Sequence, residues 1–365
     1  MRVQELCEHL VFCTNPSQVF GKIADIKTIK KNYLALLRKI HPDVVEKEEV
    51  ESATKATSHI NRLINVAYEQ VKNNNYGSEV DLSTIKTHSY DSKSSNKKET
   101  DYNSASPLFE MEIRGNKIKI YEQVFAGNIC DVFAGLANGT KVFLKVGTAK
   151  ESDVFLENEF QILARLNHYG LPKVIDKFRI NGNVSILVSE CKGECLSDIL
   201  DRTTKPIPQS HVMWILERLL NVTGYLHSNI IVHSNIKPET VILDKDTHNI
   251  SLVGLYFGCD VKVDPDDRYK VKNKKYSAPE VSKTEKVHPC SDIYSIGQLS
   301  ISMLAGSEKA TSCPAFVDKR LSNLVNKMVD PNPKTRANDA FKLWDELREV
   351  RTQIVGTKRF EEFTL

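Results

Sequence analysis

A chain of 365 residues with 50 Lys and Arg against 47 Asp and Glu carries a formal charge of only +3. That balance excludes a strongly basic nucleic-acid binder and a strongly acidic disordered chain. Hydrophobic residues make up 41%, enough for cores in two ordinary domains with a connector between them.

No run approaches the roughly 18 apolar residues of a membrane span. The opening residues, MRVQELCEHLVF, lack the charged–apolar–small pattern of a secretory signal, so the expected location is cytoplasmic. The eight cysteines are scattered. Cys191 and Cys195 stand four apart with no second pair or nearby histidine, which suits reduced structural thiols rather than a disulfide framework or a zinc site.

In chain order, the first clear element is an amphipathic helix. Ile29, Tyr33, Leu36, Leu37 and Ile40 form one apolar stripe, and Lys30, Lys31, Arg38 and Lys39 lie opposite. His41-Pro42-Asp43 ends it, because a proline bars its predecessor from an easy helical conformation. Ile60, Ile64, Ala67 and Val71 mark a second helix. Residues 73–107 are rich in Asn, Ser, Lys and Thr, with few large apolar side chains. Such a segment buries too little surface to offset the entropy of ordering and reads as a flexible connector. There is no internal repeat.

Strands follow. Glu110–Arg114 and Lys117–Tyr121 alternate about Gly115-Asn116 as a hairpin. Lys141–Lys145 and Val184–Val188 are further strands. From about Ser210 the period is mainly helical, as in Val212–His227 and Ile293–Leu304. A strand-rich lobe followed by a helix-rich lobe is an α+β arrangement with a cleft between.

Residues 15–74 resemble a J domain: a basic helix, then His41-Pro42-Asp43, then a helix containing Ile64-Asn65-Val66-Ala67-Tyr68. The resemblance implies an all-α helical hairpin that engages a DnaK-type heat-shock chaperone and stimulates its ATPase. Lys30, Lys31, Arg38 and Lys39 would meet the chaperone's acidic surface, a contact that speeds encounter and fades with salt.

Phe109 to Val355 resembles a protein kinase, which implies a bilobal α+β fold. Lys145 matches the lysine that holds nucleotide phosphates and Glu159 its helix partner. Glu190 and Cys191 match the hinge whose backbone would bond adenine. Ala278-Pro279-Glu280, Asp292 and Arg336 match supports of the fold. The chemistry departs from the family pattern. In His233-Ser234-Asn235-Ile236-Lys237-Pro238-Glu239-Thr240, Asn235 replaces the carboxylate that accepts the substrate proton, and Thr240 replaces a metal-holding asparagine. Ser234 replaces the arginine that reads an activation-loop phosphate. Gly254-Leu255-Tyr256 stands where Asp-Phe-Gly would be, and a register two residues later, Tyr256-Phe257-Gly258, supplies no aspartate either. In Phe125-Ala126-Gly127-Asn128-Ile129-Cys130-Asp131-Val132 only Gly127 and Val132 survive of the glycine loop, and Phe125 and Cys130 would crowd the phosphates.

The expected organisation is a J domain over 1–74, a connector over 75–107, a kinase-like domain over 108–355 with its lobes meeting near 190, and a tail over 356–365. The expected function is a co-chaperone or adaptor whose pseudokinase domain binds an unidentified client protein or senses nucleotide. Weak ATP binding is expected, at Gly127, Val132, Lys145, Glu159, Glu190 and Cys191, without a conventional magnesium site. The alternative is a divergent serine/threonine kinase with an atypical metal site, using Asp260 or a nearby carboxylate. Arg268, Lys270, Lys272, Lys274 and Lys275 read as a solvated loop rather than a nucleic-acid surface, no membrane partner is expected, and Trp214 and Trp344 read as core.

Overall fold

The computed structural model describes residues 3–13, 15–40, scattered positions between 49 and 77, residue 102, and residues 106–203, 205–283, 286–356 and 363. The chain forms two compact units, Met1–Ser94 and Ser95–Leu365.

The first unit is helical where described. Helices α1 (Val3–Val11), α2 (Pro16–Phe20) and α3 (Ile26–Ile40) are followed by helical positions between Ser52 and Val71. Asn15 caps α2, its Oδ1 accepting from Ser17 N at 2.9 Å while Gln18 reaches back to the Asn15 N–H. Asp25 starts α3 by accepting from Thr28 N at 2.9 Å, which satisfies an N–H that no earlier helical turn can take. The apolar stripe packs as its spacing requires: Ile29 and Ile40 are buried with Phe20, Ile60, Leu63 and Ala67. Lys31 and Lys39 are exposed. Leu63 is the buried position that the expected stripe omitted; Ile64, His41, Pro42, Asp43 and the side chains of Lys30, Leu37 and Arg38 lie outside the described residues.

The second unit opens with a six-stranded antiparallel sheet in the order β1-β2-β3-β4-β6-β5, formed by β1 (Phe109–Ile113), β2 (Asn116–Ala126), β3 (Cys130–Ala137), β4 (Thr140–Gly147), β5 (Val174–Ile180) and β6 (Asn183–Ser189). The first hairpin turns at Arg114-Gly115, one residue earlier than expected. Both residues have positive φ, 51° and 78°, the paired left-handed geometry that suits the twist of a two-residue hairpin. Alternation sorts the sheet's faces. Val142 and Leu144 of β4 join Ile118, Ile120 and Leu187 in an outer cluster, while Val184, Ile186 and Val188 of β6 join the main core that runs into the helical lobe.

Helix α4 (Asp153–Leu163) packs beside the sheet, and the helical lobe contains α5 (Leu196–Arg202), α6 (Gln209–Ser228), α7 (Cys290–Ala305), α8 (Lys319–Met328) and α9 (Ala340–Val355). Short strands interrupt this lobe: β9 (Val241–Asp244) pairs with β7 (Glu194–Cys195) and with β10 (Asn249–Leu252), and β8 (Ile231–Val232) pairs with β11 (Cys259–Asp260).

Two expectations need amending. Trp214 is buried and stacked on His248 at 4.6 Å, but Trp344 is only half-buried. Leu343 and Leu347 take the inward face of α9, and Arg348 covers the Trp344 ring from 4.7 Å. Within the expected connector, Tyr102 stacks on Tyr121 at 4.7 Å, so that position is anchored to the second unit. All eight cysteines are free thiols, and no helix among the described residues is long and apolar enough to cross a membrane.

Candidate functional site

Lys145 on β4 lies opposite Val132 of β3 and Ile186 of β6. Its Nζ donates to Glu159 Oε1 of α4 at 2.7 Å, and the pair is buried, with side chains 9% and 0% exposed. Burial pushes the Lys145 ammonium down, but the charge and hydrogen bond of Glu159 outweigh it and the pKa is raised. Glu159 Oε2 has no partner among the described residues. The thiol of Cys130 is buried beside this pair, and burial pushes it up to about 12, so it is a neutral wall.

At the hinge, Glu190 N donates to Lys141 O at 3.4 Å. The peptide N–H and C=O of Cys191 carry no hydrogen bond among the described residues, which leaves them available to a ligand edge. The Cys191 thiol is buried and pushed up to about 11 by desolvation.

The loop after β8 is held from below. Asp292 of α7 accepts from His233 N and Ser234 N, both at 2.8 Å. His233 Nε2 donates to Val253 O at 3.0 Å while Nδ1 accepts from Asn235 N at 3.3 Å, and burial lowers the His233 pKa. Ser234 takes φ +65°, a left-handed conformation unusual for serine. The Asn235 side-chain amide makes no hydrogen bond among the described residues. Thr240 Oγ1 is committed to the loop's own backbone, donating to Lys237 O at 2.9 Å and Asn235 O at 3.2 Å.

Gly254 closes the site at its far end. Its φ is +82°, and a Cβ placed there would stand 3.2 Å from Thr240 Cγ2 and 3.6 Å from Tyr256 Cε1. A side chain at 254 would therefore start between a methyl group and an aromatic ring. Asn158 of α4 bolts this segment down by donating to Tyr256 O at 3.2 Å and Gly258 O at 2.8 Å, and Phe155 packs edge-on against Phe257. The Tyr256 ring is thereby set 6.0 Å from Lys145 Nζ, and burial pushes its phenol up. On the opposite rim the Phe125 ring covers Gly127, where a Cβ would meet it before Cys130 O at 3.0 Å.

The supports match their expected places. Arg336 grips Glu280 with two bonds, Nη1–Oε1 at 2.5 Å and Nη2–Oε2 at 2.9 Å, both side chains buried. Asp260, the carboxylate named for the alternative metal site, is engaged by a cation and a backbone N–H. It pairs with Arg165 and accepts from Lys262 N at 3.2 Å. The basic stretch is partly tied down, Lys270 by Asp267 at 3.0 Å and Lys275 by Ala310 O.

A twisted antiparallel sheet, a buried Lys–Glu pair linking it to one helix, a hinge, and a loop held by a buried aspartate define a kinase-like bilobal domain. The family model for the protein kinase domain matches residues 119–351, and the chain belongs to that family. Serine/threonine-protein kinase pkn2 of Myxococcus xanthus is 26% identical over 276 residues, 65% of this chain and 33% of that protein. Serine/threonine-protein kinase RUNKEL of Arabidopsis thaliana is 25% identical over 232 residues, 61% and 16%. Serine/threonine-protein kinase polo of Drosophila melanogaster is 26% identical over 247 residues, 61% and 40%. The chain spans well under half the length of each of these relatives. No J-domain family model matches the N-terminal part. The comparisons thus support the kinase alternative better than the co-chaperone reading.

The family implies ATP and a divalent metal. The nucleotide is fitted in part, by the Cys191 peptide and by Lys145. The metal is not fitted: Gly254 has no side chain, Thr240 Oγ1 is engaged with the loop's own backbone, and no cluster of three His, Cys, Asp or Glu side chains occurs among the described residues. Sequence reasoning named Lys145, Glu159, Asn235, Thr240 and Gly254 but gave no place to Tyr256, whose ring stands 6.0 Å from Lys145 Nζ. The aromatic directly after Leu255 was the available signal.

Proposed function

We propose that the second unit is a protein-kinase-family domain that has lost phosphoryl transfer and works as a binding module. The observation that carries this reading is Gly254, at φ +82° and without a side chain to hold a metal, beside a Thr240 Oγ1 turned into its own loop's backbone. Transfer of a phosphoryl group depends on charge neutralisation by metal and on a positioned base. Here a neutral amide, Asn235, occupies the base position. Any ATP binding is weak and independent of magnesium. The test is incubation with radiolabelled ATP and manganese at high protein concentration. No incorporation is expected; label that disappears in Lys145→Ala would overturn the reading.

A second reading, a divergent serine/threonine kinase, is favoured by the intact Lys145–Glu159 pair and by the names of the relatives. It needs a metal ligand, and Asp260 would have to exchange its Arg165 partner for the ion. For the first unit the proposal is recruitment of a DnaK-type chaperone. It is supported by His41-Pro42-Asp43 in the sequence directly after α3 and by the exposed Lys31 and Lys39 on that helix.

A further inference from the structure

Near its end the chain returns to the helical lobe at one aromatic residue. Helix α9 runs antiparallel to α6. Phe341 in its first turn lies against Gly224, where an added Cβ would stand 2.9 Å from the ring, and Arg351 near its end pairs with Glu217 at 3.2 Å. The helix stops at Gly356, which takes φ +73°. Seven positions on, Phe363 is buried against the first turns of α6.

Its ring meets two others edge-on, His211 at 4.9 Å and 76° and Trp214 at 6.0 Å and 81°. Trp214 is itself held in place. It stacks on His248 of the β9–β10 turn at 4.6 Å and 9°, and Arg218 Nε donates to His248 O at 3.1 Å. Edge-to-face contacts of this kind favour an aromatic ring over an aliphatic side chain. Trp214 Nε1 is buried and has no hydrogen-bond partner among the described residues. A peptide acceptor beside the bound ring would satisfy it.

Burial of one ring is comparable to the entropy of ordering the few residues that carry it, so a hold by Phe363 is reversible. We propose that the face of α6 around Trp214 is a recognition site for a phenylalanine-bearing peptide segment. The chain's own Phe363 fills it, which makes the tail a reversible latch on the helical lobe. A segment tethered this closely has an effective concentration on the order of 1 mM, against an affinity of about 0.1 mM for a single aromatic anchor, so the latch is shut about ten to one. The site uses no residue of the Lys145 cleft and stands whether or not the domain transfers phosphate.

The experiment uses the full chain carrying Trp344→Phe, which leaves Trp214 as its one tryptophan. Adding Phe363→Ala should shift Trp214 emission to longer wavelength with circular dichroism unchanged. A peptide of residues 357–365, which contains no tryptophan, should reverse the shift with a Kd of about 0.1 mM. The same peptide with Phe363→Leu should bind about fivefold more weakly. Carrying fluorophenylalanine at that position and followed by fluorine NMR, the peptide should bind the chain with its own tail intact about tenfold more weakly than the Phe363→Ala chain. An emission maximum unmoved by Phe363→Ala would overturn the site. Equal binding to both chains would overturn the latch, as would no binding to the Phe363→Ala chain at about 5 mM peptide. So would loss of the helical circular dichroism in Phe363→Ala, because a reversible hold cannot be what folds the lobe. Light scattering that shows a dimer dispersed by Phe363→Ala would put a second copy's tail in the site, against the proposal.

Discussion

Replacing Lys145 by Met tests whether the ion pair is a strut between sheet and helix. The Lys145 and Glu159 side chains are 9% and 0% exposed, so solvent screening discounts little. Removing the ammonium strands a carboxylate whose Oε2 already lacks a partner. Breaking one side of such a buried pair costs about 3–5 kcal/mol. For a domain of this size about 2–4 °C is lost per kcal/mol, so Tm should fall by roughly 6–20 °C. The double variant Lys145→Met/Glu159→Leu removes both charges and should recover to within about 1 kcal/mol of the parent. Both tryptophans, Trp214 and Trp344, lie in the second unit, so urea unfolding followed by tryptophan fluorescence reads that unit alone. A single variant within about 1 kcal/mol of the parent would refute the strut.

Restoring an aspartate by Gly254→Asp should destabilise the domain by about 1–3 kcal/mol, because φ is +82° and the new Cβ meets Thr240; an unchanged urea midpoint would contradict that strain. His233 is buried and its pKa lies below the ordinary 6.5. The unfolded chain therefore binds the extra proton, and His233's contribution is complete above pH 6.5 and lost as pH falls below it. The slope reaches about 1.4 kcal/mol per pH unit; urea midpoints between about pH 7.5 and 5.5 that stay flat would count against this. His41→Gln should abolish stimulation of a DnaK-type chaperone's ATPase with an unchanged circular dichroism spectrum; wild-type protein that stimulates none of its host's chaperones would end the recruitment proposal.

Long periodic elements were legible because burial imposes their period. The helices around Val212–His227 and Ile293–Leu304 reappear one to three residues longer at each end. So were the ion pairs Lys145–Glu159 and Glu280–Arg336, which depend on landmark order alone. Two-residue strands such as β8 and β11 were not, since no period exists over two residues. The hairpin turn slipped by one because Arg114, rather than Asn116, takes the left-handed conformation. The cleft was legible only in part. Loss of an aspartate at Gly254 is written in the sequence, but the placement of Tyr256 near Lys145 depends on Asn158, nearly a hundred positions away. A similar distance hid the Arg165–Asp260 pair.

The central claim, that the cleft holds no metal–triphosphate, is most directly tested by manganese electron paramagnetic resonance. Full-length protein would be titrated into manganese and a non-hydrolysable ATP analogue. The account predicts that the spectrum of the manganese–nucleotide complex is the same with and without protein. A protein-dependent broadened signal that saturates at one manganese per chain, and is lost in Lys145→Ala, would contradict it.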